Sequence, residues 1–454
     1  MNNELWDKIV AFDLDNPPSE YCFSIRLANE NFWTKNFAEN AILEYKKFMY
    51  LAASSDFMVS PSEIVDSVWH QHLIFTQSYQ DFCNLLGKQI QHIPSTHNKE
   101  EFSKFKQAKE RTLKFYENNF GEQPKSIWGY SGMYESLNLE KAKYKLRTFI
   151  IAALLAFLAL ITPAYFLLRP IYSELDNPYF MLGFIGLMIG VFVALDFFNK
   201  TRIKQIINQF DKNSFVYTLT PLELIYLKTQ KLTDVINGVV NGLVEREVIK
   251  ISTDDTVELA INGAATCKEE LQVTTELSEI GNSYYYKLLK RLVTKPIFTN
   301  HANCMNAFKK YFNKSKKFGS IFYINFGVLA LLLMFGLVRI ATGLLRDKPV
   351  TQISIVVILF AVLIVVYLNR LTNHIGRLAI PNLYKREILP SQQIEGDWQW
   401  SYFLLGMDVL TPSFSPLVRQ VDKNYSGSGG DASNSCGSSC GSSCSSCGGC
   451  GGGD

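Results

Sequence analysis

The chain has 454 residues, of which 47% are hydrophobic and 19% are charged, and its mean hydropathy is +0.03. This length exceeds one ordinary domain, and this apolar content excludes a wholly disordered chain. The 45 lysines and arginines nearly balance the 42 acidic residues, which argues against a strongly basic nucleic-acid-binding protein. The near-zero mean hydropathy is an average over very apolar and very polar segments. The order of these segments along the chain therefore indicates the architecture.

Residues 1–140 carry helical periodicity without a membrane span, and they predict a helical domain. A capping box at Ser60–Glu63, with proline at the first helical position, predicts a helix start, and Gly87 is placed to end the helix. These signals predict a single helix over 61–86. Four of the six histidines of the chain lie in or shortly after this helix: His70, His72, His92 and His97.

The Trp-His-x-His segment on this helix suggests a metal site. Residues two apart on a regular helix point about 200° apart, so His70 and His72 cannot both bind one ion. His72 shares the apolar face, which indicates a core histidine, whereas His70 lies opposite it, near Asp66. Two interpretations stay open. In the first, His70 and Asp66 form a surface pair. In the second, His92 or His97 joins them to form a site for a divalent metal, such as zinc, or for a small polar ligand.

Four charge-poor segments are each long enough to cross a hydrocarbon core of about 30 Å as a helix. They predict two hairpins of membrane spans, at residues 149–168, 179–198, 319–338 and 350–368. Lysine and arginine are concentrated before the first and third spans and after the second and fourth. The positive-inside rule therefore places both termini and the middle loop on the cytoplasmic side. The membrane predicted is the cell membrane, inner or plasma. No cleaved signal peptide is expected.

Few polar groups fall inside the predicted spans. Asp196 and Asn325 would lie at similar depth and could pair across the bundle, in a structural role. Gly186 and Gly190 form a GxxxG pattern, which allows close approach of another helix and leaves a homo-oligomer open. Because no charged residue lies at mid-depth, the pattern argues against a channel or a secondary transporter.

The middle loop, residues 199–318, predicts a small helix–hairpin module. Thr220–Glu223 is a capping box, residues 232–246 form a second helix, and two alternating segments around Asp254 and Asp255 form a β-hairpin. This outline is winged-helix-like, but the second helix carries a single arginine, which argues against nucleic-acid binding. The basic stretch 309–317 is suited to lie against anionic headgroups.

The C-terminal part divides into a cytoplasmic juxtamembrane segment, 369–425, and a low-complexity tail, 426–454. In the tail, 25 of 29 residues are Gly, Ser or Cys, which predicts disorder. Five thiols lie in the tail, at Cys436, Cys440, Cys444, Cys447 and Cys450. Their spacing suits Zn²⁺ or Cu(I) binding or redox chemistry, and the alternative is a tail whose cysteines are lipidated, oxidised or unused. A cytoplasmic location disfavours stable disulfides.

Three segments of the N-terminal part contain a dispersed set of rare residue types: EYKKFMYLAA, VSPSEIVDSVWHQHLIFTQSYQDFCNLLGKQIQHIPS and KFYENNFGEQPKSIW. Over roughly residues 20–130 the chain resembles the glycine-rich domain-containing protein-like family. The signature positions are Pro61, Val65, Asp66, Trp69, His70, His72, Leu73, Thr76, Tyr79, Phe82, Cys83, His92 and Pro94. The family pattern has two histidines where this chain has Gln91 and His92, and the resemblance implies no particular reaction.

The segment LTPLELIYLKTQKLTDVINGVVNGLVEREVIKI lies between the two predicted span pairs. Together with those spans and the Cys/Gly tail, it resembles a bacterial family of multi-span membrane proteins of unknown function. The matching positions are Thr220, Pro221, Glu223, Leu243, Val244 and Arg246. The resemblance supports the layout from about residue 145 onward and implies no activity.

Together these patterns predict a mostly α integral membrane protein with three cytoplasmic parts. The leading interpretation is a non-enzymatic scaffold or sensor that binds an unidentified protein partner or a metal, with the lipid bilayer as its other partner. The alternative is a metal-dependent enzyme or metal-delivery factor centred on Asp66, His70, His72 and His92. No P-loop, Rossmann glycine pattern, HExxH or Ser-His-Asp arrangement supports the alternative.

Overall fold

The computed structural model describes residues 2–93, 99–260, 264–391 and 397–427. Within these residues the chain is mostly helical, and its strands form one small sheet. His97 and the tail thiols Cys436–Cys450 lie outside the described residues, as does the predicted disordered tail from residue 428 onward. Residues 426 and 427, which were assigned to that tail, end the last helix.

The N-terminal part is built from seven helices around an aromatic core. These are α1 (Asn3–Ala11), α2 (Phe23–Asn31), α3 (Lys35–Ser54), α4 (Glu63–Ile74), α5 (Thr76–Leu86), α6 (Lys99–Phe120) and α7 (Lys125–Trp128). Helix α3 lies at the centre and packs against α1, α2, α4, α6 and α7. Tyr45 of α3 packs against His72 of α4, and Phe48 packs against Trp69, so α4 is held with one face in the core and one face open.

The prediction of one helix over 61–86 is wrong at its start and in its middle. The helix begins at Glu63, because the Ser62 side chain accepts the Val65 N–H at 3.2 Å and acts as the N-cap. The Ser60 N–H instead bonds to Thr112 of α6 at 2.9 Å. The helix then breaks at Phe75, whose backbone leaves the helical region with ψ of 64°. The Phe75 ring packs edge-on against Phe23, so tertiary packing stabilises this break.

Four long apolar helices confirm the four predicted segments as helices long enough to span a membrane. They are α8 (Leu146–Glu174), α9 (Asn177–Ile207), α15 (Lys316–Leu344) and α16 (Thr351–Thr372). Helix α15 is central and packs against α8, α9 and α16. Gly186 and Gly190 of α9 face open space, with no atom of the described chain within 4 Å of an added Cβ, so the GxxxG pattern mediates no packing within the chain.

The expected pairing of Asp196 with Asn325 is wrong. Asn325 exchanges hydrogen bonds of 2.9 and 2.7 Å with Asn199, which also donates to the Tyr367 hydroxyl at 2.9 Å. Asp196 lies three residues earlier on α9, off the face that meets α15, and pairs with Lys200 at 2.6 Å. The buried amide pair takes the structural role that was expected of the acid.

The remaining elements come from the middle loop and the C-terminal segment. Their elements are α10 (Pro221–Thr229), α11 (Leu232–Glu245), β1 (Ile249–Ile251), β2 (Thr256–Leu259), α12 (Lys268–Ile280), β3 (Ser283–Tyr284), α13 (Tyr285–Leu292), α14 (Pro296–Asn313), α17 (Ile380–Leu383), α18 (Trp398–Leu405) and α19 (Ser415–Gly427). Short 3₁₀ turns lie at Met133–Leu137, Phe215–Tyr217, Leu389–Ser391 and Gly406–Val409, and π-helical turns flank α17 at Ile375–Ala379 and Tyr384–Ile388.

The predicted capping box and β-hairpin are both confirmed. Thr220 and Glu223 exchange the two capping hydrogen bonds at the start of α10. Strands β1 and β2 pair antiparallel, with Ile249 opposite Leu259. Strand β3, which the sequence did not predict, adds to β2 and makes the sheet three-stranded.

An ion pair and a backbone hydrogen bond, each to a buried carboxylate of the middle loop, attach the N-terminal helices to that loop. The Lys35 ammonium lies 3.0 Å from the Glu269 carboxylate, and the Lys35 N–H donates to Glu223 at 2.9 Å. His301 of α14 lies 3.6 Å from the same Glu269 oxygen. Burial raises the pKa of Glu223. The open face of α4, which carries Asp66 and His70, therefore belongs to a part of the chain that is fixed against the middle loop.

Candidate metal centre

The open face of α4 brings a carboxylate and an imidazole together. Asp66 and His70 are four residues apart, and the distance from His70 Nδ1 to Asp66 Oδ2 is 3.6 Å. Four residues make about one helical turn, so the periodicity of the helix alone accounts for this proximity. The His70 side chain is 57% exposed and that of Asp66 is 34% exposed, so both groups are accessible from solvent.

A second imidazole reaches the same carboxylate from the segment after α5. His92 Nε2 lies 2.9 Å from Asp66 Oδ1, and the rings of His70 and His92 are 4.4 Å apart. One ligand atom from each of Asp66, His70 and His92 lies within 4.8 Å of the other two. Of the two loop histidines that the sequence left open, the structure brings His92 to Asp66 and His70, while His97 lies outside the described residues.

Two aromatic residues hold the segment that carries His92. The Tyr79 hydroxyl of α5 donates to the Ile90 carbonyl oxygen and accepts from the Trp69 indole N–H at 3.1 Å. The Trp69 ring also packs against the His92 ring with centroids 4.6 Å apart. Helices α4 and α5 therefore fix residues 90–92. Sequence reasoning placed Trp69 and Tyr79 only among the signature positions and missed this positioning role, since no local pattern links them to His92.

His72 is not part of this group. Its ring is fully buried, with Nδ1 2.8 Å from the Tyr45 hydroxyl and Nε2 3.1 Å from the Ser78 hydroxyl. Burial lowers the pKa of His72 to about 4, so the ring is neutral at physiological pH. The apolar face predicted for His72 is confirmed by the burial of its neighbours Val65 and Val68. Both ring nitrogens have protein partners, so His72 has a structural role here and is not placed to bind a ligand with Asp66.

A cavity of about 490 Å³ opens beside Asp66 and His92. Most of its wall is apolar and is formed by Phe48, Phe57, Val59, Trp69, Ile90 and Phe105. Lys88 also lines the cavity, and its ammonium donates to the carbonyl oxygens of Ala52 at 2.9 Å and Ser55 at 2.6 Å. Lys88 thus closes the end of α3 and fixes the start of the segment that leads to His92.

Two imidazoles and one carboxylate form a donor set suited to divalent transition metals such as zinc. Within the described part of the chain, Asp66 has no lysine or arginine partner, so its charge is available to a cation. Three protein ligands leave at least one coordination position open toward solvent or the cavity. The residues therefore fit a metal site with room for water or another ligand.

Comparison with known proteins gives one partial match. Residues 28–119 match a family model described as UCP032817-like. The match covers about a fifth of the chain and includes Asp66, His70 and His92. No curated protein and no solved structure matches the chain. The site is thus interpreted from its geometry and chemistry.

Proposed function

We propose that this chain is a multi-pass membrane protein whose N-terminal part binds a divalent metal ion, such as zinc, and acts as a sensor or scaffold. The observation that carries the proposal is the convergence of Asp66, His70 and His92, with ligand atoms within 4.8 Å of one another. Neutral imidazole and ionised carboxylate are the forms that bind a metal.

A sensing role is supported by the position of the three metal ligands in two different segments of the chain. Asp66 and His70 belong to α4, whereas His92 belongs to the segment after α5. An ion bound by all three would join the segment to the helix and stabilise one arrangement of the cavity wall. A protein partner that contacts this wall would then bind with an affinity that depends on the metal.

The membrane part of the proposal rests on the four long apolar helices. Each exceeds the length needed to cross a bilayer, and their charged flanks support the orientation with both termini and the middle loop in the cytoplasm. We also propose membership of the glycine-rich domain-containing protein-like family for the N-terminal part and of the bacterial multi-span family for the rest. The dispersed signature residues named above support both memberships.

The winged-helix-like interpretation of the middle loop is retained as a fold proposal without nucleic-acid binding. In a winged helix that binds DNA, the second helix of the unit must present side chains to the groove. Here residues Val235–Leu243 of α11 are buried throughout. This burial supports a packing or protein-binding module, against which Trp398 of α18 packs closely at Gly242.

The cavity favours a second candidate function, a metal-dependent enzyme or metal-delivery factor. Catalytic zinc sites keep an open coordination position beside a shaped pocket, and the three-ligand group at the cavity has this arrangement. In either role Asp66, His70 and His92 hold the ion, and the five tail cysteines are a separate candidate thiol site.

Elemental analysis of the purified full-length protein tests the proposal. We expect about one zinc ion per chain, retained when Cys436, Cys440, Cys444, Cys447 and Cys450 are all changed to serine. Asp66→Asn combined with His92→Gln should remove this metal. Asp56→Asn, at an exposed carboxylate outside the group, is the matched control and should retain it. Loss of the metal when the five cysteines are changed to serine would instead place the site in the tail.

A further inference from the structure

Two basic segments meet at the start of two apolar helices. Residues 140–142 precede α8, and residues 314 and 315 lead into α15, which begins at Lys316. The Ala142 N–H donates to the Lys314 carbonyl at 2.9 Å, and the Lys316 N–H donates to the Glu140 carbonyl at 2.8 Å. Lys141 and Ser315 thus face each other as an antiparallel bridge. Segments that are far apart in sequence form one continuous edge.

This edge carries a strong excess of positive charge. Its cations are Lys141, Lys143, Lys145, Arg147, Lys314, Lys316 and Lys317. The one carboxylate within 140–147 and 314–317 is that of Glu140, which lies 3.3 Å from Lys316 with both side chains mostly exposed. Seven cations against one carboxylate leave the edge with a formal net charge of +6.

The edge lies at the level where the two helices would enter a membrane. Helices α8 and α15 run side by side, and the rings of Phe149 and Tyr323 are 4.0 Å apart. Tyr144 is exposed next to Lys143, and its carbonyl accepts from the Tyr323 hydroxyl at 3.4 Å. Tyrosine with lysine and arginine is typical of the headgroup layer of a bilayer.

The N-terminus of α8 adds to the positive electrostatic potential of the edge. Its N-cap, Lys145, makes no side-chain capping bond, and no acid lies in the first turn. The positive end of the helix dipole is therefore left without a negative side chain from its own first turn. Phosphate oxygens are the groups that backbone N–H donors and nearby ammonium groups favour.

We propose that the edge formed by residues 140–147 and 314–317 binds the headgroup of an anionic phospholipid. The inference rests on the membrane insertion proposed above. Headgroup phosphate and free inorganic phosphate share the same chemistry, and the position of the edge beside two apolar helices favours the lipid. A lipid bound here would hold α8 and α15 together through its phosphate.

The proposed site differs from the expectation that the basic stretch 309–317 as a whole lies against headgroups. Lys309 is partly buried and donates to the side chain of Gln230, and burial lowers its pKa to about 8. Lys309 therefore points toward α10 and away from the edge. The lysines before α8, from another part of the sequence, take its place.

Native mass spectrometry of the full-length protein in detergent tests the site with added phosphatidylglycerol, phosphatidylcholine and inorganic phosphate. We expect phosphatidylglycerol to bind at least about tenfold more tightly than phosphatidylcholine, and inorganic phosphate at millimolar concentration to leave the bound lipid in place. In the triple variant Lys141→Gln, Lys145→Gln, Lys314→Gln, the affinity for phosphatidylglycerol should fall about a hundredfold.

The matched control removes three exposed lysines elsewhere, with Lys231→Gln, Lys250→Gln and Lys290→Gln, and should bind phosphatidylglycerol as the unchanged protein does. Equal loss in both triple variants, equal affinity for the two lipids, or displacement of the lipid by inorganic phosphate would overturn the inference. Carbonate extraction of membranes separates the two proposals. A chain that resists extraction but shows no lipid preference refutes the headgroup site alone, and a chain that is extracted refutes membrane insertion as well.

Discussion

The two faces of α4 carry histidines two residues apart in opposite environments. His72 faces the core, is fully buried and has a hydroxyl partner at each ring nitrogen. His70 faces outward, beside Asp66 and the ring of His92, and more than half of its side chain is exposed. The residue type is the same, so the difference in role comes from the surroundings that each face meets.

Within this single helix, the buried face contributes to stability and the open face carries the groups that can bind a ligand. A buried imidazole with two hydrogen bonds fixes α4 against α3 and α5, and its nitrogens are not available to a ligand. An exposed imidazole with a nearby carboxylate stabilises the fold little and is free to bind a cation. Substitutions on the buried face should therefore lower stability, and substitutions on the open face should lower metal affinity.

The largest expected effect is on stability, from His72→Ala. The substitution opens a cavity in the core and leaves the hydroxyls of Tyr45 and Ser78 without their partner, so the free energy of unfolding should fall by about 4 kcal/mol. His70→Ala, on the exposed face, should cost less than about 0.5 kcal/mol. Guanidinium denaturation of the protein in detergent, followed by tryptophan fluorescence, measures both. Equal losses would remove the distinction between the faces.

Acid should destabilise the protein through His72. Its folded pKa of about 4 lies below the ordinary value of 6.5, so the folded state resists the proton that the unfolded state accepts. Stability from this group is constant above pH 6.5 and falls as the pH drops from 6.5 to 4, by up to about 3 kcal/mol. The difference in unfolding free energy between the unchanged protein and His72→Gln should narrow over that range. A constant difference would show that His72 is not held neutral.

On the outer face, His92→Gln should weaken zinc binding about a hundredfold, because one of three ligands is lost. This loss corresponds to about 2.7 kcal/mol of binding free energy. Competition with a chromophoric zinc chelator measures the affinity, in the protein whose five tail cysteines are serine. Unaltered affinity would exclude His92 as a ligand.

The smallest expected effect tests how His92 is positioned. Tyr79→Phe removes the hydroxyl that joins Trp69 to the Ile90 carbonyl and should destabilise the fold by about 1.5 kcal/mol. Zinc affinity should also fall, by about tenfold, since the segment carrying His92 loses its support. The same competition assay applies, and Tyr21→Phe, on an exposed ring, is the matched control. A loss of stability without any change in affinity would limit Tyr79 to a structural role.

Periodicity predicts the parts of this site that lie on one helix. The positions of Asp66, His70 and His72 around α4 follow from 3.6 residues per turn, and the four apolar helices follow from length and composition. The break at Phe75 has no glycine or proline signal, because packing against Phe23 stabilises it. The position of His92 beside Asp66 depends on the Tyr79 hydroxyl and the Trp69 ring, and no local sequence pattern encodes such long-range contacts.

The absence of long-range contacts from local sequence patterns also explains why Asn199, and not Asp196, pairs with Asn325. Both residues lie at the end of the apolar segment predicted at 179–198, and hydropathy gives their position along the helix but not the direction in which their side chains point. Three residues correspond to about 300° around a helix, so a small rotation of α9 decides which one meets Asn325. The rotation is set by packing against α15 and α16, which the sequence of one span does not contain.

X-ray absorption spectroscopy of the zinc-loaded full-length protein tests the central claim most directly, because it reports the atoms bound to the metal. A site at Asp66, His70 and His92 predicts only nitrogen and oxygen neighbours, at about 2.0–2.1 Å, with the outer-shell scattering of imidazole rings. Sulfur neighbours at about 2.3 Å would place the ion on the tail cysteines and contradict the account.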